Sequence, residues 1–103
     1  MSDAPVTLIN LLKVEPRDQA ALVALLRRNT DTVIRTLPGW RATRLIAAED
    51  GASVVIYSEW ESPADVEAMR ADPRMKAYLP GLLELASLES VVGASVYSEA
   101  RRA

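Results

Sequence analysis

Ser53-Val-Val-Ile-Tyr-Ser-Glu-Trp60, followed at once by Glu61-Ser62-Pro63, is the stretch on which the fold turns. Its β-branched and aromatic residues predict a strand from Ser53 to Trp60. Ser62 then suits a helix N-cap, Pro63 has the fixed φ of a first helical position, and Asp65 puts negative charge in the first turn. Just upstream, Glu49-Asp50-Gly51 carries an Asp-Gly turn signal after a strand-like run from Trp40 to Ala48. The two strands are therefore expected to pair as a hairpin that leads directly into a helix.

The same reading extends outward. Val6 to Val14 (VTLINLLKV) predicts a first strand ending at Glu15-Pro16. From there to Leu37, Leu22, Leu25, Leu26, Val33 and Leu37 recur at helical spacing, with Arg27, Arg28, Asp31 and Arg35 on the opposite stripe. One long amphipathic helix follows, ended by Leu37-Pro38-Gly39. Downstream, Val66 and Met69 face inward and Asp72-Pro73 breaks the helix. A short piece from Met75 to Leu79 is interrupted at Pro80-Gly81 before Leu82 to Ala86, and a last strand runs from about Glu89 to Ser98. The order β-α-β-β-α-β is the ferredoxin-like arrangement, an α+β fold with helices on one face of an antiparallel sheet. With no linker or repeat, residues 1–103 read as one domain with a core from about 6 to 98.

The strands carry apolar residues on both faces. Val54, Ile56 and Trp60 share one face of the third strand, and Val55 and Tyr57 the other. Leu8 and Leu12 likewise oppose Ile9 and Leu11. The helices suffice to cover one face, so the other calls for a second copy packed sheet to sheet, with Tyr57 and Val55 in the contact.

Composition narrows the chemistry. The chain has 103 residues, half of them hydrophobic, with no His and no Cys. Imidazole- and thiolate-based catalysis, disulfides, Cys-ligated zinc and iron–sulfur clusters are thereby excluded. No carboxylates are spaced for a hard metal. A net charge of −2 gives no basic excess for nucleic acid, and the doublets Arg27-Arg28 and Arg101-Arg102 read as solvated surface. No run approaches the ~18–20 apolar residues of a membrane span, and Met-Ser-Asp-Ala-Pro lacks a leader's features, so a cytoplasmic location without membrane contact is expected.

Three motifs carry a family resemblance: Tyr57-Ser58-Glu59-Trp60-Glu61-Ser62 at the end of the third strand, Leu37-Pro38-Gly39-Trp40 before the second, and Tyr78-Leu79-Pro80 in the second helical region. On these the chain resembles the antibiotic biosynthesis monooxygenase (ABM) family from about Val6 to Tyr97. The resemblance implies a dimeric α+β barrel. Members that the chain resembles include cofactor-independent oxygenases that convert anthrones, naphthols or quinols to quinones, haem-degrading enzymes, and proteins with no established reaction. Haem-degrading members use a strand-one Asn, a strand-three Trp and a helical His. Asn10 and Trp60 match the first two, but the helical segment reads Ala77-Tyr78-Leu79. The anthrone oxygenases place an Asn four residues before the Trp, where this chain has Ile56, and their Tyr and Arg align near Val66 and Leu79. The leading expectation is the cofactor-free oxygenase that the resemblance implies, with O₂ and a small aromatic substrate as partners and no metal or cofactor.

That route needs an apolar pocket with a few donors aimed at a developing oxyanion. Trp60 and Asn10 are the catalytic candidates. Trp60 is either a pocket wall with an indole N–H donor or a core anchor, and Asn10 either a donor to substrate or the partner of a buried backbone group. Tyr78, Arg44, Ser58, Ile56, Asn29, Met69 and Met75 are the candidates for substrate binding. Arg44 reads as mid-strand among apolar neighbours, able to pair with an anionic substrate or to bridge to Glu59. Asn29 interrupts the inward stripe of the long helix. Two other functions stay open: a non-catalytic binding or accessory protein, which Ile56 favours, and an isomerase or cyclase in which a carboxylate or Tyr moves protons.

Overall fold

Val6–Val14 (β1), Trp40–Ala47 (β2), Ser53–Trp60 (β3) and Ala86–Gly93 (β4) form one antiparallel sheet in the computed structural model, which describes residues 4–101. The strand order is β2-β3-β1-β4, with β3 and β1 in the centre and β2 and β4 at the edges. Gln19–Thr32 (α1), Pro63–Ala71 (α2) and Pro73–Leu85 (α3) pack on one face of the sheet, giving the ferredoxin-like α+β arrangement.

The hairpin and the start of α2 follow the sequence reading closely. Gly51 takes φ 79, and Asp50 Oδ1 accepts from the Ala52 N–H at 2.9 Å, which closes the turn. Ser62 Oγ accepts from the Asp65 N–H at 3.2 Å as the N-cap of α2. Gly39 adopts φ 82, and the Glu61 N–H donates to its carbonyl at 2.8 Å, tying the entry of β2 to the exit of β3.

Beyond β2 ending at Ala47 rather than Ala48, three boundaries differ from expectation. The long first helix ends at Thr32, and a separate 3-10 turn over Ile34–Thr36 carries the chain on, with Ile34 rather than Val33 buried. At the second difference α3 is continuous from Pro73 to Leu85 with Pro80 inside it, not broken at Pro80-Gly81. Proline removes one backbone hydrogen bond, but Tyr78, Leu82 and Leu85 all pack on the same core cluster and hold the helix on both sides of it. Third, β4 begins at Ala86, directly after the helix, and ends at Gly93 instead of running from Glu89 to Ser98. Register decides this: Val14 pairs with Ala86, so the ladder with β1 starts as soon as the helix ends.

Two buried clusters lie between sheet and helices. One joins Leu12 and Val54 to Leu22, Leu26 and Leu82; the other joins Val6, Leu8 and Trp60 to Ile34, Val66 and Met69. Burying each such side chain fully contributes about 1.5–3 kcal/mol. The clusters occupy the two ends of the inner sheet face, and a cavity opens between and above them. Arg27, Arg28 and Arg101 are exposed, as expected of solvated charge; Arg102 and Met1 to Asp3 lie outside the described residues. No helix of the described residues is long and apolar enough to cross a membrane.

Candidate active site

Even-numbered residues of β1 and β3 point toward the helices, because the register sets Val6 opposite Trp60, Leu8 opposite Ser58 and Asn10 opposite Ile56. Asn10, Ile56, Ser58 and Trp60 therefore share one patch of sheet. Over it lie Asn29 of α1, Met69 of α2, and Met75 and Tyr78 of α3. These residues line a cavity of about 380 Å³, within the size range of small-molecule sites.

Arg44 is a correction. It pairs with Tyr57 on the outer face of the sheet and is exposed, away from the cavity, and among the described residues it makes no ion pair with Glu59 or any other carboxylate. The cause is a bulge between Trp40 and Ala42, where the pairing steps from Trp60 to Glu59. One inserted residue reverses the side-chain alternation of everything that follows. Arg44 turns outward and Thr43 turns inward, where its hydroxyl accepts from the Trp40 indole N–H at 2.8 Å. Thr43 lines the cavity, and the sequence carries no signal for it once the bulge is overlooked.

The hydrogen bonds distribute the polar atoms. Trp60, 1% exposed, donates its indole N–H to Ser58 Oγ at 3.1 Å, and Ser58 donates to the Leu8 carbonyl at 3.4 Å. The indole N–H is thus used within the wall, and Trp60 presents apolar surface. Asn10 behaves differently. Its Oδ1 accepts from the hydroxyl of Ser90, its partner across the β1–β4 ladder, and its Nδ2 makes no protein hydrogen bond among the described residues. Asn29, 8% exposed, donates Nδ2 to the Met75 sulfur at 3.3 Å. Burial pushes the Tyr78 hydroxyl up to about 12, so it remains a neutral phenol at any physiological pH.

Ser90, Thr30, Arg70 and Lys76 also line the cavity and were missed by sequence reasoning. Ser90 could have been found from the β1–β4 register, and Lys76 from its place between Met75 and Tyr78 on one helix. Among the described residues no carboxylate lines the cavity. What the site can do is hold a flat apolar group against Trp60 and Ile56 while the Asn10 amide and the Tyr78 hydroxyl offer N–H and O–H to an oxygen atom.

Fold and site together define an α+β protein with a single-walled sheet, three covering helices and an apolar, sparsely polar chamber beneath them. Residues 5–81 match the antibiotic biosynthesis monooxygenase family, and the chain belongs to it. The chain is 39% identical over 72 residues to the tetracenomycin-F1 monooxygenase of Streptomyces glaucescens, a match covering 70% of this chain and 64% of that protein. Its fold is similar to that of a Streptomyces coelicolor monooxygenase solved in complex with nanaomycin D, with TM-score 0.86 and 24% identity over 97% of this chain and 95% of the other. It is also similar to SnoaB, a cofactor-independent oxygenase from Streptomyces nogalater, with TM-score 0.78 and 19% identity over 92% of this chain and 96% of the other.

Proposed function

We propose that this chain is a cofactor-independent monooxygenase that oxidises an electron-rich aromatic of the anthrone, naphthol or quinol type with O₂. The observation that carries the reading is the Asn10 amide in the wall of an apolar cavity, whose Oδ1 is held by Ser90 while Nδ2 has no hydrogen-bond partner among the described residues. The 39% identity to tetracenomycin-F1 monooxygenase supports it.

For an anthrone the reaction is R₂CH₂ + O₂ → R₂C=O + H₂O. The substrate loses a proton to become an electron-rich enolate, which donates an electron to O₂. The two recombine as a carbon-bound peroxide, and loss of water leaves the carbonyl. Such a substrate is acidic enough to need no strong protein base, which suits a chamber lined by neither carboxylate nor imidazole. Asn10 Nδ2 stabilises the enolate oxygen, in the manner of an oxyanion hole. Tyr78, kept neutral by burial, can donate to the same oxygen or to the peroxide. Trp60, Ile56, Met69 and Met75 align the ring and exclude water. Two copies joined through their outer sheet faces complete the reading.

The test is oxygen consumption with 1,8-dihydroxyanthrone. Asn10→Ala should lower kcat about a hundredfold, the scale of losing one oxyanion donor. Ser90→Ala should give a smaller loss in kcat with KM little changed, since it frees the amide without removing it. Adding Trp60→Phe to Asn10→Ala should abolish turnover, whereas wild-type rates in that double variant would remove the assignment. Ile56, standing where the anthrone oxygenases that the chain resembles have Asn, favours a second reading, a binding or accessory protein without turnover. Tight ligand binding with no oxygen uptake would select it, and turnover persisting without oxygen would select an isomerase or cyclase.

A further inference from the structure

The chain as a whole is acidic, with 14 Asp and Glu against 12 Lys and Arg. Its cavity has the opposite bias. The charged residues that line it are Arg70 and Lys76, both cations and both exposed, which puts them at its mouth. They differ in what they already hold. Arg70 Nη1 lies 3.0 Å from Glu67 Oε2, so much of its charge is answered within α2. Lys76 makes no ion pair among the described residues. The nearest carboxylate along its own helix face, Asp72 one turn earlier, is engaged by Arg74 through Nε and Nη2. Lys76 is therefore a cation at the rim of an apolar chamber, with no counter-ion among the described residues.

We propose that Lys76 anchors an anionic substituent of the ring substrate, so that the chamber selects flat aromatics bearing a carboxylate at one edge. The inference rests on the aromatic reading of the cavity given above but adds a substrate class and a specificity-determining residue to it. An ammonium on a flexible stem binds such a group as a point charge at variable reach, and the ring behind it slides under α3 toward Trp60. The contact is made at the rim and away from the reacting carbon, so it contributes to binding and orientation rather than to the chemical step. Arg70, half neutralised by Glu67, contributes less.

Binding of two non-reacting quinones separates this proposal from the oxygenase reading. Calorimetry is run on the intact protein with anthraquinone-2-carboxylate and the neutral 2-hydroxymethylanthraquinone. The carboxylate should bind about fivefold more tightly, the size expected of one partly exposed ion pair. That preference should vanish in Lys76→Gln, persist in Arg70→Gln and shrink as salt is raised. Thermal unfolding of Lys76→Gln should match wild type, since the side chain is exposed and unpaired. Equal affinities in the wild type, or a preference that survives Lys76→Gln, would overturn the anchor and leave the aromatic cavity standing. If neither quinone binds, the aromatic reading falls and the anchor with it.

Discussion

Tyr78 shows how one side chain's surroundings fix its chemical role. Its hydroxyl ionises at about 12 because burial disfavours the phenolate, against about 10 for an exposed tyrosine. A raised folded-state value means that the neutral form is favoured by folding. Its contribution to stability is complete below pH 10 and is lost as pH rises from 10 toward 12, where the unfolded chain ionises first. Tyr78→Phe should therefore lose less stability between pH 9 and pH 11 than wild type does, measured as the shift of the urea midpoint. An equal loss in both proteins would contradict the burial argument. The same surroundings made some site residues readable in advance and others not. Asn10 stood out because an amide in an apolar strand needs a reason, and its partner Ser90 became visible only with the β4 register. Arg44 misled because a mid-strand place among apolar neighbours does not say which face a side chain takes, and the single-residue bulge that turns it outward has no clear signature in sequence.

At the scale of elements, two glycines in similar Pro-Gly contexts have opposite duties. Pro38-Gly39 is a true terminator: Gly39 has φ +82, and a Cβ there would sit 2.2 Å from Asp65 Cγ. Asp65 is itself part of the α2 start, where its Oδ2 accepts from the Ser62 hydroxyl at 2.9 Å. Pro80-Gly81 terminates nothing. Gly81 lies inside α3, and beyond its chain neighbours and the helix's own backbone nothing lies within 4 Å of its would-be Cβ. Gly39→Ala should accordingly cost about 2–3 kcal/mol through backbone strain and displacement of the cap. Gly81→Ala should instead stabilise by about 0.5–1 kcal/mol, the helix-propensity difference. Denaturant titration of both variants decides it, and a like sign for the two would refute the assignment. Local chemistry fixed β3 and the α2 cap to the residue, and the hairpin with β2 one residue shorter than expected. It failed at α3 and β4 because packing on Leu12, Val14 and Leu22 overrode the proline and drew the chain into the sheet at Ala86.

For the molecule as a whole, the open question is what covers the outer face of the sheet. The registers assemble two apolar rows across it: Val91, Ile9 and Tyr57 side by side on β4, β1 and β3, and Leu11, Val55 and Ile46 on β1, β3 and β2. Val91 is 65% exposed and Ile46 47%, and the helices all lie on the opposite side. Rows this continuous are unusual on a face meant for water, where alternation should place polar side chains. The proposed cover is a second copy of the same chain, since a two-fold axis through the centre of the face would set each row against its own counterpart. A stable contact of this kind buries about 800 Å² per partner. Val55 sits in the middle strand pair, paired with both Leu11 and Ile46, so a charge there has nowhere to escape. Analytical ultracentrifugation should find the wild type at twice 11.2 kDa and Val55→Asp at 11.2 kDa with an unchanged far-ultraviolet spectrum. The cavity lies on the far side of the sheet from this face, so the variant should still bind anthraquinone-2-carboxylate if each protomer's chamber is complete in itself. A wild type that sediments as a monomer would leave both rows unexplained and would sink the sheet-to-sheet dimer.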